Sequence, residues 1–260
     1  MAQAGVEFAK VSYAPAGSRP DLRQPDGAGR MLLRDISLRL EAGTTTALLG
    51  RSGSGKTTLL RMVNALVVPS DGEVLVEGEA VRCANVDRLR RSIGYVIQET
   101  GLFPHMTVER NAGLALELAG HSKQEIAARA EEVLALVGLD FAVLRKRYPW
   151  QLSGGQRQRV GLARALATDP AVLLMDEPFG ALDPMTRAEM QTMVRELLAR
   201  VKKTVLLVTH DLDEALYLAQ RVVLLEEGAV VADLPAKDVL GSENAAVKRY
   251  VAAVRRAVPA

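Results

Sequence analysis

The sequence predicts an α/β fold built on a mainly parallel, covered sheet, and three observations carry that expectation. Short apolar runs alternate with segments of helical spacing toward both ends of the chain. From about residue 99 to 167 no convincing buried strand occurs, so this stretch reads as helices inserted into the alternation. Between an apolar run and a helix, Gly50-Arg51-Ser52-Gly53-Ser54-Gly55-Lys56-Thr57 forms a complete phosphate-binding loop.

Taken in order, residues 4–13 and 32–40 place apolar side chains near alternation and are predicted as strands. The connection 14–30 is rich in Pro, Gly and Arg and reads as an exposed loop or insertion. The run 44–49 is a strand that delivers the phosphate loop, and the helix starting near Gly55 is predicted to reach about Val67. Residues 73–81 read as strand around a turn at Gly78, and 93–97 as a short buried strand. Helical spacing follows at 107–119 and 122–137, and a further helix starts near Gly154. Alternation then resumes with a strand at 171–175, a helix at 184–201, a strand at 204–208 and a helix at 211–219. Two short strands around Glu227-Gly228 and a helical tail follow.

Composition narrows the class. Of the 260 residues 48% are hydrophobic but only 4% aromatic, so Leu, Val and Ala must fill the core. With 33 basic and 31 acidic residues the net charge is +2, which gives no case for a nucleic-acid surface. The single cysteine, Cys83, cannot close an intrachain disulfide, which fits a reducing compartment. No N-terminal apolar segment reads as a signal peptide and no stretch is long enough to span a bilayer. Work at a membrane would therefore need another chain to do the spanning.

Each position in the phosphate loop has a physical job. The glycines let backbone N–H groups converge on phosphate oxygens, Lys56 reaches the outer phosphates, and the Thr57 hydroxyl can bind Mg²⁺. The helix that follows aims its positive end at the same anion. The apolar run 171–175 ends in Asp176-Glu177. A carboxylate delivered at the C-terminal edge of such a strand is suited to Mg²⁺, Asp176 acting through water. Glu177, one residue on, can act as base or orienter for the water attacking a γ-phosphate. Leu152-Ser153-Gly154-Gly155-Gln156 sits at a helix N-terminus. It is either an ordinary cap built on Ser153 or an anion site that offers a hydroxyl and N–H groups.

In chain order, the phosphate loop, Gln98, Leu152-Ser153-Gly154-Gly155-Gln156, Met175-Asp176-Glu177-Pro178, Ala181-Leu182-Asp183 and His210 resemble the motif series of the ATPase subunits of ATP-binding cassette (ABC) transporters. The resemblance runs from about Val6 to Asp233. It implies a P-loop NTPase of RecA-like α/β type, with its core at about 4–98 and 166–240. An antiparallel β subdomain, a helical subdomain at about 99–165 and a short helical tail at 241–260 complete the expected plan. It also implies ATP and Mg²⁺ at the site, and hydrolysis of ATP to ADP and phosphate.

Residue by residue, the resemblance assigns phosphate binding to Gly50, Arg51, Ser52, Gly53, Ser54, Gly55, Lys56, Thr57 and Thr58, and metal binding to Thr57, Gln98 and Asp176. Catalysis falls to Glu177, His210, Gln98 and Lys56: Gln98 touches the metal and the attacking water, while His210 contacts the γ-phosphate and positions Glu177. Tyr13 would stack on adenine, or else be a strand-edge tyrosine, since the 14–30 loop lengthens its distance from Lys56. Ser153, Gly154, Gly155 and Gln156 would contact nucleotide held by an opposite subunit, and Asp183 would communicate across that dimer. Two copies of the chain would thus sandwich ATP, and hydrolysis would let them part.

The segment 91–108, Ile97-Gln98-Glu99 above all, is similar to cassettes that energise uptake of osmoprotectant quaternary amines such as glycine betaine and choline. This implies an importer subunit, peripheral on the cytoplasmic face of the inner membrane. Integral membrane permease subunits and an extracytoplasmic substrate-binding protein would be its partners, and nucleic acid would not. The alternatives are an ATPase for another cargo (amino acid, sulfonate or lipid) and a non-transport ATPase, which would usually bring two cassettes or a basic surface. Leu102, Phe103 and Met106 either dock on a membrane subunit or pack inside the helical subdomain. His105, His121 and Trp150 read as packing or surface residues. Many members of the osmoprotectant group carry a further C-terminal regulatory module; the tail to Ala260 is short, so inherited regulation is not expected.

Overall fold

The computed structural model describes residues 4–15 and 31–256. Most of the expected 14–30 loop, from residue 16 on, lies outside the described residues, as do residues 257–260 of the expected tail. The chain divides into two compact units, Met1–Val86 with Leu206–Ala260, and Asp87–Val205. Among the described residues no helix is long and apolar enough to cross a membrane.

The first unit holds two sets of strands. Strands β1 (Ala4–Tyr13), β2 (Leu33–Glu41), β4 (Asp71–Val76) and β5 (Glu79–Ala80) form a four-stranded antiparallel sheet in the order β2-β1-β4-β5. Alternation drives it: Leu33, Ile36, Leu38 and Leu40 of β2 are buried while most of the residues between them face out. The second set contains β3 (Thr45–Leu49), β9 (Arg221–Glu226) and β10 (Ala229–Pro235), in the order β10-β9-β3. Strand β9 runs parallel to β3 and antiparallel to β10, to which the Glu227-Gly228 turn joins it. Every residue of β3 is buried, as expected of a strand covered on both faces.

Helix α1 (Lys56–Val63) ends four residues before the predicted Val67. Asn64 caps it and Ala65 turns left-handed at φ 55°. Past that turn Leu66 and Val68 stand on the surface, at 52% and 59% exposure.

In the second unit the parallel pairing continues between β6 (Ile93–Val96) and β7 (Val172–Asp176), in the register Ile93↔Val172 to Val96↔Met175. The predicted helices form as α3 (Val108–Leu118), α4 (Lys123–Leu136), α6 (Gly154–Leu166) and α7 (Pro184–Val201). Two short helices had no periodicity to announce them, α2 (Val86–Arg91) and α5 (Phe141–Leu144). The starts are written in side chains: Thr107, Ser122, Ser153 and Asp183 each accept a hydrogen bond from a first-turn N–H. Helices α3, α4 and α6 pack together over Val108, Val133, Leu134 and Val160. Arg129 of α4 donates to the carbonyls of Leu166 and Ala167 (3.1 and 2.9 Å), closing the C-terminal end of α6. Gly94 is where α6 meets β6, since a Cβ there would lie 2.3 Å from the Ala165 carbonyl oxygen.

The remaining elements are β8 (Thr204–Val208), within which the boundary between units falls, and α8 (Leu212–Leu218) and α9 (Ala245–Arg256), both in the first unit.

Candidate functional site

The predicted residues fall into two groups, one in each unit. In the first, β3 delivers the phosphate loop. Gly50 is required by close approach: a Cβ would sit 2.3 Å from the Leu225 carbonyl oxygen and 2.8 Å from Ser54 Oγ. Gly55 is the N-cap of α1 at φ 99°, and no side chain caps the helix. The first-turn N–H groups are thus not taken up by a capping side chain, and no acidic residue occupies that turn. Lys56, only 6% exposed, bends back so that Nζ donates to the carbonyls of Gly50 (2.8 Å) and Arg51 (2.9 Å). The ammonium thus braces the loop from inside. Ser54 Oγ is buried and has no hydrogen-bond partner among the described residues. Thr57 and Thr58 are half-buried, while Arg51, Ser52 and Gly53 are exposed.

Two other predicted residues belong to this unit. Tyr13 ends β1, paired with Leu33, and its carbonyl accepts from the Leu32 N–H at 2.8 Å; its ring is half-buried. His210 is exposed just beyond β8. Next to it, Thr209 is buried and its N–H donates to the Leu48 carbonyl in β3 at 3.3 Å.

The second unit brings the acidic residues together. All of β7 is buried, and Asp176 at its end is 2% exposed. Tyr95 Oη donates to Asp176 Oδ2 at 3.4 Å. Glu177 holds a left-handed backbone at φ 44°, a conformation that costs a residue with a Cβ on the order of 1 kcal/mol and recurs at functional sites. Gln98 Nε2 donates to Glu177 Oε2 at 3.3 Å, so two residues predicted to act on one water are in contact. From α6, the buried Gln158 donates to the Pro178 carbonyl.

Ser153 and Gln156 form a reciprocal capping box at the start of α6. The Gln156 N–H donates to Ser153 Oγ (3.2 Å) and the Ser153 N–H to Gln156 Oε1 (3.0 Å). Gly154 is half-buried and Gly155 buried, and a Cβ on Gly155 would stand 2.7 Å from Thr186 Cγ2 of α7. Asp183 caps α7 by accepting from the Thr186 N–H, and hydrogen bonds from the Thr186 hydroxyl first and its N–H second hold the carboxyl below the usual carboxylate range. Phe103 is exposed, whereas Leu102 and Met106 are half-buried.

Sequence reasoning missed Tyr95 and Arg164. The Arg164 guanidinium, its pKa lowered by burial, donates to the carbonyls of Thr100 (2.9 Å) and Gly101 (2.7 Å), both left-handed residues just past Gln98. No motif marks either residue, and their partners lie more than sixty positions away.

The donors suit Mg²⁺ bound together with a nucleotide rather than alone. Among the described residues no cluster of three or more His, Cys, Asp or Glu side chains could hold a metal. Each unit by itself offers hard oxygen: the Thr57 hydroxyl in the first, the buried Asp176 carboxylate and the Gln98 amide in the second. Mg²⁺ accepts few protein donors when phosphates and water complete its shell.

A family model described as ABC transporter matches residues 33–180. The glycine betaine uptake system ATP-binding protein YehX of Escherichia coli is 50% identical over 199 residues, which cover 76% of this chain and 64% of that protein. The choline transport ATP-binding protein OpuBA of Bacillus subtilis is 45% identical over 203 residues, 78% of this chain and 53% of that one. The chain thus spans about half to two thirds of the length of these relatives. Among solved structures, the ATP-binding cassette MJ0796, dimeric in a post-hydrolysis state with ADP and Pi, superposes with a TM-score of 0.75. It is 32% identical, over 89% of this chain and 98% of that one.

Proposed function

The chain belongs to the ABC transporter family, and from that premise we propose that it is the ATP-hydrolysing subunit of a membrane importer whose cargo is an osmoprotectant quaternary amine. The observation that carries this reading is the phosphate loop, preformed on β3 and braced by Lys56.

On this reading the nucleotide's phosphates accept hydrogen bonds from the loop N–H groups and the start of α1, and Lys56 exchanges its two carbonyls for phosphate oxygens. Thr57, Asp176 and Gln98 would hold Mg²⁺, which would neutralise charge on the phosphoryl group in transfer. Glu177 takes a proton from, or orients, the attacking water, with Gln98 fixing its carboxylate. A bond forms from that water oxygen to the γ-phosphorus, the bond to the bridging oxygen breaks, and ADP leaves with the electron pair. His210 contacts the γ-phosphate, and Tyr13 stacks on adenine.

Ser153, Gly154, Gly155, Gln156 and Asp183 serve a second copy of the chain, so that ATP joins two subunits. The functional division is a nucleotide-binding domain over 4–240, with the helical part at about 99–165, followed by the tail. Integral membrane permease subunits and an extracytoplasmic substrate-binding protein complete the complex, with this chain peripheral at the cytoplasmic face. The name of the Escherichia coli relative supports glycine betaine as cargo.

The test is phosphate release by the purified chain beside Lys56→Ala. Wild-type turnover of ATP, with nucleotide affinity lost in the variant, is expected; unchanged ATP binding by Lys56→Ala sinks the assignment. Cargo is then read from the complex, as stimulation of the ATPase by substrate-binding protein loaded with glycine betaine or choline. Stimulation by a different solute only would shift the cargo and leave the chemistry standing.

A further inference from the structure

We propose that Tyr250 is a positioning residue for His210, fixing the backbone of the 209–211 turn from helix α9. The inference rests on the reading of His210 as a γ-phosphate contact and deepens it.

The ring of Tyr250 is placed by packing. Val247, Tyr250, Val251 and Val254 recur at helical spacing on one face of α9, and that face packs on Leu49, Leu212, Ala215, Val222 and Leu224. Arg249 pairs with Glu226 at 3.1 Å beside it. With the ring so held, Tyr250 Oη donates to the His210 carbonyl at 2.9 Å. Burial, with the Asp211 charge nearby, pushes the phenol pKa up to about 12, so the hydroxyl keeps its proton and remains a donor.

The neighbouring bonds hold the residues on either side. The Thr209 N–H reaches the Leu48 carbonyl (3.3 Å), and the Asp211 N–H reaches Thr209 Oγ1 (3.0 Å). Asp211 Oδ1 accepts from the Glu214 N–H (3.0 Å), capping α8. Tyr250 adds the bond to the peptide of His210 itself. An exposed side chain on a turn aims only as well as its backbone is held, and a misplacement of about 1 Å is enough to slow a positioned reaction severalfold.

The experiment compares Tyr250→Phe, Val251→Ala and His210→Ala in the full chain, by ATPase kinetics, thermal unfolding and hydrogen exchange of the peptide over 209–214. Tyr250→Phe keeps the ring and removes the donor. It is expected to lower kcat roughly 3- to 10-fold with KM for ATP and Tm unchanged, and to speed exchange at 209–211. Val251→Ala, which loosens the same face but keeps the hydroxyl, is expected to lower Tm and leave kcat. Wild-type kcat and exchange in Tyr250→Phe overturn the proposal, as does a fall in kcat that comes with a fall in Tm and is matched in Val251→Ala. If His210→Ala hydrolyses ATP like wild type, the reading of His210 itself fails, and the positioning role with it. If His210→Ala is inactive while Tyr250→Phe is normal, only the positioning role fails.

Discussion

At the scale of single residues, the contact between Gln98 and Glu177 sets the sharpest expectation. Glu177→Gln keeps the shape and the possibility of a hydrogen bond to Gln98 but cannot accept a proton. ATP binding should persist while phosphate release falls by about 10²- to 10⁴-fold. Equal turnover by the variant would remove Glu177 from the chemistry. The phosphate loop and the Asp176-Glu177 pair were legible in the sequence because each is contiguous and each position has its own chemical task. Tyr95, Arg164 and Tyr250 were not, because each is an ordinary residue whose partner lies 81, 63 or 40 positions away. Only folding brings such pairs together.

At the scale of elements, Asn111 of α3 organises the turn before its own helix. It is fully buried; Oδ1 accepts from the Phe103 N–H (2.8 Å) and Nδ2 donates to the carbonyls of Phe103, Met106 and Thr107 (3.0–3.1 Å). Asn111→Ala strands these backbone groups and should cost about 2–3 kcal/mol in denaturant unfolding, with faster exchange over 101–107. A loss under about 0.5 kcal/mol would mean that water replaces the amide. Long elements with capping side chains were readable: α7 begins and ends at the predicted residues because Asp183 caps it and Lys202 turns left-handed after it. The end of α1 was misplaced because the chain turns left-handed at Ala65, a residue that carries no turn signal, and α5, at four residues, is too short for any period to show.

At the scale of the whole molecule, the proposed two-copy site predicts a separable behaviour. Ser153→Arg should abolish cooperative hydrolysis yet leave ATP bound by the loop of the same chain, as read by nucleotide titration and sedimentation with ATP. A fully active Ser153→Arg would refute the shared site. The division into units carries one further consequence, in time. The second unit is one unbroken stretch of chain, whereas the first is made of its two ends. The Thr45 N–H that opens β3 bonds to Gln220 Oε1, 175 residues onward. At about 5–20 residues per second, a ribosome releases β3 roughly 10–30 s before its parallel neighbour β9 exists. The strand that presents the phosphate loop is thus made well before it can be seated, and a nascent chain cannot pair that strand with β9 until residue 226 has been made.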